Sequence, residues 1–148
     1  MTATPKPTLW FEQVEPGQEL PELIIDLTPT LIISTAIASR DYQDVHHDRD
    51  LAHKKGSKDI FMNILSSNGF VGRYVTDWAG PNAIFKRVAI RLGAPNYPYD
   101  QMRLTGKVES VERIDGEGIV ELSIRGANGL GDHVKGRVRL CLPSQAAE

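Results

Sequence analysis

The chain has 148 residues, 41% hydrophobic and 24% charged, enough for one globular domain whose core needs no covalent staple. Its single cysteine, Cys141, excludes an intrachain disulfide and zinc sites built on several cysteines, and fits a reducing compartment. A net charge of -2 speaks against nucleic acid as the main partner; with no apolar run of about 18 residues and no apolar signal core in residues 1–7, a cytoplasmic protein outside the membrane is expected.

Residues 1–8 and 143–148 are polar or small and read as loose ends, leaving an ordered core of about 9–142 in a single domain spanning 1–148. Glu15-Pro16-Gly17-Gln18 signals a turn, and residues 20–27 read as a first strand. Thr28 then offers an N-cap with Pro29 at the first helical position. Leu31, Ile32, Thr35, Ile37 and Ala38 continue that helix, against the lower propensity of its β-branched residues. Residues 40–59 are the most polar stretch and hold three of the four histidines. Within them, 48–55 fits a short helix, acidic in its first turn, basic in its last and closed by Gly56.

Residues 60–78 carry the strongest helix pattern. Phe61, Ile64, Leu65, Val71, Val75 and Trp78 recur at helical spacing, Asp59 offers a cap, and Gly80-Pro81 ends the run. Gly69 and Gly72 inside it are either tolerated, at about 1 kcal/mol each, or mark a close approach to a sheet. From residue 88 the period changes to two. Val88, Ile90 and Leu92, then Met102, Leu104 and Val108, then Val120, Leu122 and Ile124, then Val134, Val138, Leu140 and Leu142 alternate with polar or charged residues. These are four half-buried strands, with turns at Asp115-Gly116 and Asn128-Gly129 joining the last three. One polar face per strand implies an antiparallel sheet with one side in water. The whole is an α+β fold: at least five strands curved around one long helix.

Candidate chemistry lies in the polar stretch and at the start of the long helix. By residue type alone, Asp41 and His46 read as solvated or capping residues more readily than as catalytic ones. The first N–H groups of the helix, near Met62, Asn63 and Ile64, point at anything negative unless Asp59 caps them. His47 is a candidate for touching substrate or partner, and Asp48 for a helix N-cap. His53 beside Lys54 and Lys55 reads as a solvated face or as an attraction for phosphates, and His133, on a hairpin, as surface. No metal site is expected: adjacent histidines point different ways, and no H-E-x-x-H occurs.

The element order resembles the hot-dog fold. Asp41-Tyr42-Gln43-Asp44-Val45-His46-His47-Asp48 resembles the D-x-N-P-x-H-x-D segment of the MaoC-like (R)-specific enoyl-CoA hydratases. Asp41, His46 and Asp48 match, while Gln43 and Asp44 replace the usual asparagine and proline. The string NGLGDHVKGRVRL is similar to the family's last hairpin, so the likeness spans residues 9–142. The blocks DYQDVHHDRD, GSKDIFMNIL and RYVTDWAGP look most like the small subunits of heteromeric steroid enoyl-CoA hydratases of actinobacteria, which act in sterol (cholesterol) side-chain degradation.

The resemblance implies reversible addition of water to a trans-2-enoyl-CoA, giving a 3-hydroxyacyl-CoA. Asp41 and His46 would hold the water, and the backbone N–H of Asn63 would form part of an oxyanion hole beside Met62 and Ile64; His47 falls where the family carries an apolar residue. No cofactor is implied, since CoA belongs to the substrate. The implied partner is a second hot-dog subunit, in a heterodimer or heterotetramer, that helps house a bulky acyl group; a homodimer is the alternative. The family's glycine in I-V-H-G is Asn63 here, which keeps the backbone N–H and adds a side chain. Two other readings fit the fold: an acyl-CoA thioesterase, and a non-catalytic subunit that completes a partner's pocket. The Asp-x4-His segment favours hydration over both.

Overall fold

In the computed structural model, which describes residues 7–145, the period-two segments pair into one antiparallel sheet. In chain order the elements are β1 (Glu19–Leu27), α1 (Pro29–Ala38), α2 (Arg49–Lys54), α3 (Ile64–Ala79), β2 (Ile84–Leu92), β3 (Asp100–Ile114), β4 (Glu117–Asn128) and β5 (Gly131–Leu142). The sheet order is β1-β3-β4-β5-β2, so the strands flanking the helical segment become the two edges. The loose ends expected at 1–6 and 146–148 lie outside the described residues. Those expected at 143–145 are held: Phe11 N donates to Pro143 O at 2.9 Å, and Gln145 N to Glu12 at 3.1 Å.

Local chemistry sets the joints. Thr28 caps α1 with its hydroxyl, which accepts from Leu31 N at 3.0 Å, and Asp48 does the same for α2 through Leu51 N. Asp115 and Gly116 both have positive φ, as a tight hairpin turn between β3 and β4 requires. The β4–β5 turn is displaced by one residue from the expected Asn128-Gly129. Asn128 pairs with Gly131, and its Oδ1 accepts from Leu130 N at 2.8 Å.

The inward residues of three central strands, among them Met102, Leu104, Val108, Val120, Leu122, Val138 and Leu140, are fully buried against Val71, Tyr74, Val75 and Ala79 of α3. The close approach of helix and sheet is made on the sheet side. A Cβ on Gly106 would lie 3.1 Å from the Tyr74 ring, whereas one on Gly69 or Gly72 would meet nothing within 4 Å. The helical glycines are therefore simply tolerated.

The long helix begins four residues later than its pattern predicts. Phe61 N donates to Val45 O at 3.1 Å and Met62 N to Asn96 O at 3.0 Å, which keeps this stretch extended. Asp59 does not cap the helix; its carboxylate binds Ile60 N at 2.7 Å and Arg49 at 2.9 Å. Asn63 is the N-cap instead. No helix among the described residues is long and apolar enough to cross a membrane.

Candidate active site

The end of α1 fixes the first functional side chain. Arg40 takes a left-handed conformation, φ 57°, and its N–H reaches Ile37 O at 3.0 Å. Asp41 N then donates to Ala36 O at 3.0 Å. This is a Schellman ending with arginine where glycine is usual, and it sets Asp41 immediately beyond the helix. A 3-10 turn, Asp44–His46, follows and turns His46 inward to 7% exposure. His46 Nδ1 lies 2.7 Å from Phe61 O, and the ring packs edge-on against Phe61, with centroids 4.9 Å apart.

The two expected residues meet: His46 Nε2 lies 3.4 Å from Asp41 Oδ2. A carbonyl oxygen only accepts, so Nδ1 carries the hydrogen shared with Phe61 O. In the neutral ring this leaves Nε2 as a lone pair facing the carboxylate. Two acceptors this close suit a water molecule that donates an O–H to each. Once the ring takes up a proton, the same contact becomes an ion pair.

Asn63 joins them. Its Nδ2 donates to Asp41 Oδ2 at 3.0 Å and to Ser39 Oγ at 2.9 Å, while its Oδ1 accepts from Ser66 N at 3.1 Å and from the Ser66 hydroxyl. The Asn63 amide is the main reason the Asp41 carboxyl stays below its ordinary pKa; burial opposes it, and the Gln43 N–H with His46 and His47 add to it. At neutral pH Asp41 is a carboxylate.

The remaining candidates separate. Met62 is buried in the core and its N–H is committed to Asn96, so it does not belong to the free donors expected at the helix start. The backbone N–H groups of Asn63, Ile64 and Leu65 meet no acceptor among the described residues, which leaves three aligned donors at the start of α3. The Ile64 side chain is 54% exposed. His47 lies beside Tyr42 O, at 3.1 Å, and braces the loop rather than joining the pair. His53 is tied to Lys58 O and Lys55 to Asp44, so the expected free basic face is partly spent inside the loop.

His133 is not on the surface. It is 1% exposed, with Nδ1 2.7 Å from Ala94 O and Nε2 2.7 Å from Ser67 Oγ, and burial pushes its pKa down. The β4–β5 turn is so short that residue 133 already lies within β5 and under the first turns of α3. Ser39, Ser66, Ser67 and Asn96 are further members that sequence reasoning missed. Only Ser66 had a local signal, three residues after a capping-type Asn63. A groove of about 350 Å³ between α1 and α3, lined by Thr35, Ala38, Ser39, Leu65, Ser66 and Phe70, shares Ser39 and Ser66 with the cluster.

No family model matches the chain. It is 52% identical over 126 residues to the beta subunit of 3-oxo-4,17-pregnadiene-20-carboxyl-CoA hydratase from Mycobacterium tuberculosis, covering 85% of this chain and 95% of that protein. Among solved structures it is similar to a chain of the ChsH1-ChsH2 complex from Mycobacterium tuberculosis, with TM-score 0.82 and 51% identity over 86% of this chain and 98% of that one. It also shares its fold with the R-hydratase PhaJ1 of Pseudomonas aeruginosa, with TM-score 0.82 and 20% identity over 93% of this chain and 88% of that one. With a hot-dog sheet wrapped on α3, an Asp41–His46 pair at the helix start and a relative this close over most of its length, the chain belongs to the MaoC-like enoyl-CoA hydratase family.

Proposed function

We propose that this chain is the Asp-His-bearing subunit of a heteromeric enoyl-CoA hydratase acting on a steroid side-chain thioester, with a second hot-dog subunit as partner. The carrying observation is the 3.4 Å Asp41–His46 contact, with His46 Nδ1 committed to Phe61 O, beside three unpaired N–H groups of α3. The substrate class and the heteromer rest on the 52% identical relative and on the ChsH1-ChsH2 complex. A cytoplasmic setting, supported by the lone unpaired Cys141, goes with this reading.

The reaction follows from the tautomer. A water held by Asp41 and His46 gives its proton to His46 Nε2, and its oxygen bonds to the β-carbon of the enoyl thioester. The C=C electron pair moves toward the thioester oxygen, where the N–H groups of Asn63, Ile64 and Leu65 receive the negative charge. Donors of this kind are worth about 2.7–4 kcal/mol each. Nε2–H then protonates the α-carbon, which restores the neutral ring. Asp41 orients the water and stabilises the imidazolium while it exists. Every atom added comes from water, so the step needs no cofactor.

The test is co-expression with the partner subunit and assay on a panel of enoyl-CoA thioesters, steroid and short-chain. Loss of the conjugated-enoyl absorbance without release of free thiol is the expected result. Thiol release would establish the thioesterase instead. A complex with full activity after loss of both Asp41 and His46 would reduce the chain to a structural subunit.

A further inference from the structure

Asn63 stands where the resembled family carries glycine, so its side chain has no counterpart in the usual oxyanion arrangement. In this chain it is 2% exposed and makes four polar contacts, to three residues on two segments. On one side its carbonyl oxygen caps α3 through Ser66 N, and on the other its amide nitrogen reaches Asp41 Oδ2 at 3.0 Å and Ser39 Oγ at 2.9 Å. Ser39 is itself fixed, since its hydroxyl donates to Thr35 O at 2.8 Å and lies 3.0 Å from Ala36 O. The cap therefore sets the direction of the amide. With Oδ1 committed to the helix, Nδ2 faces the loop, and its two N–H bonds go to the carboxylate and to Ser39.

We propose that the Asn63 side chain is a positioning residue that locks Asp41 as an acceptor-only carboxylate and ties its place to the first turn of α3. This deepens the hydratase reading above and rests on it for its kinetic consequences. The water-holding groups and the enolate-receiving N–H groups sit on separate segments, the 39–46 loop and the start of α3. A glycine at 63 supplies only the backbone donor. Asparagine supplies the donor and a rigid link between the two halves of the site, which sets the distance between the water and the thioester oxygen.

The link also has an electrostatic effect. The titratable groups acting on Asp41 are His46 and His47 from the adjoining turn; α1 and α3 contribute the neutral Ser39 and Asn63. An amide donor stabilises the charged carboxylate, so its removal raises the Asp41 pKa, and a second carboxylate in its place raises it further.

Two variants that keep the cap separate positioning from folding. Serine and aspartate are both good N-cap residues. Asn63→Ser caps Ser66 N with an oxygen too short to reach Asp41 as well. Asn63→Asp caps it and sets a carboxylate where the amide donated. In the assembled enzyme both should keep a cooperative unfolding transition, its midpoint lowered by the lost amide–carboxylate bond, while kcat falls about 10–100-fold, the scale of an angstrom-level misplacement, and KM changes little. The acid limb of kcat should move to higher pH, most in Asn63→Asp, because the Asp41 carboxyl then takes up its proton at higher pH.

Carbon-13 titration of the Asp41 carboxyl in the full chain gives a readout free of activity, and the midpoint should rise in both variants. An unchanged midpoint and an unchanged acid limb in both would reduce Asn63 to a helix cap and overturn the proposal. A raised midpoint in a chain that, with its partner, hydrates no enoyl thioester would overturn the hydratase reading and leave the Asn63–Asp41 link standing.

Discussion

Replacing Asp41 by asparagine keeps the shape of the site and changes one property, the carboxylate charge. The side chain lies beside His46 Nε2, whose lone pair accepts because Nδ1 carries the hydrogen given to Phe61 O. Asn63 Nδ2 and His46 Nε2 both face the same oxygen, Oδ2, so the new amide oxygen takes that place to accept from Asn63, and the new –NH₂ takes the place of Oδ1, which accepted from Gln43 N. The water then meets a neutral amide oxygen in place of a carboxylate, a weaker acceptor that orients it less firmly. The imidazolium formed during hydration also loses its counter-charge. Unit charges at the observed 3.4 Å attract by about 5 kcal/mol at an effective dielectric of 20, before solvent at the one-fifth exposed carboxylate reduces it. A loss of about 2.7–5.5 kcal/mol of transition-state stabilisation corresponds to about 10²–10⁴ in rate, the usual span for a general acid–base partner.

Stability should change by less than about 1 kcal/mol, since the new amide still accepts from Asn63 and no buried group loses its partner. The assay is single-turnover decay of the enoyl absorbance in the complex, with unfolding followed in parallel. Asp41→Asn at more than about a tenth of the wild-type rate, with its fold intact, would refute the pairing. His46→Ala should lose as much rate, and about 1–3 kcal/mol of stability besides, because Phe61 O is left unpaired and the Phe61 ring loses its edge contact.

Other expectations follow from single contacts. Arg40→Gly removes a left-handed arginine that costs about 1–2 kcal/mol, while the added freedom of the unfolded chain returns about 0.5–1 kcal/mol. Denaturant unfolding should show net stabilisation of up to about 1.5 kcal/mol with unchanged kcat, because the Asp41–Ala36 backbone bond remains. His133 is buried neutral with a lowered pKa, so the unfolded chain binds the extra proton. Its contribution is complete above the unfolded value of about 6.5 and is lost as pH falls from there through the lower folded value, at up to about 1.4 kcal/mol per pH unit. A plot of Tm against pH should lose this acid slope in His133→Asn; an identical slope would show that other groups carry it. Gly106→Ala should cost about 1–3 kcal/mol, because the new Cβ meets Ile124, Tyr74 and Leu20 at 3.0–3.3 Å, and wild-type unfolding would show that those side chains yield freely.

Much of the architecture is written locally. Alternation of period two is a property of each strand by itself, so β3, β4 and β5 are legible from Met102-Leu104, Leu122-Ile124 and Val138-Leu140 without knowing their neighbours. The caps at Thr28 and Asp48 are equally local, acting three residues away. Asp41 and His46 are close in sequence, and the loop between them is short enough for the resemblance to place them together.

The start of α3 could not be read this way. Its apolar pattern runs from Phe61, but Met62 N is claimed by Asn96, a residue in the loop after β2, and one such bond outweighs the helical preference of a few residues. The role of the Asn63 side chain depends on Asp41, 22 residues earlier, and the burial of His133 on Ser67, 66 residues earlier. The strand order β1-β3-β4-β5-β2, which sends β1 and β2 to opposite edges, is likewise set by which faces cover α3. Sequence periodicity reports which side of an element is apolar. Which distant donor meets which acceptor is decided only when the sheet closes over the helix, because a buried polar group must then take whatever partner the packing brings within reach.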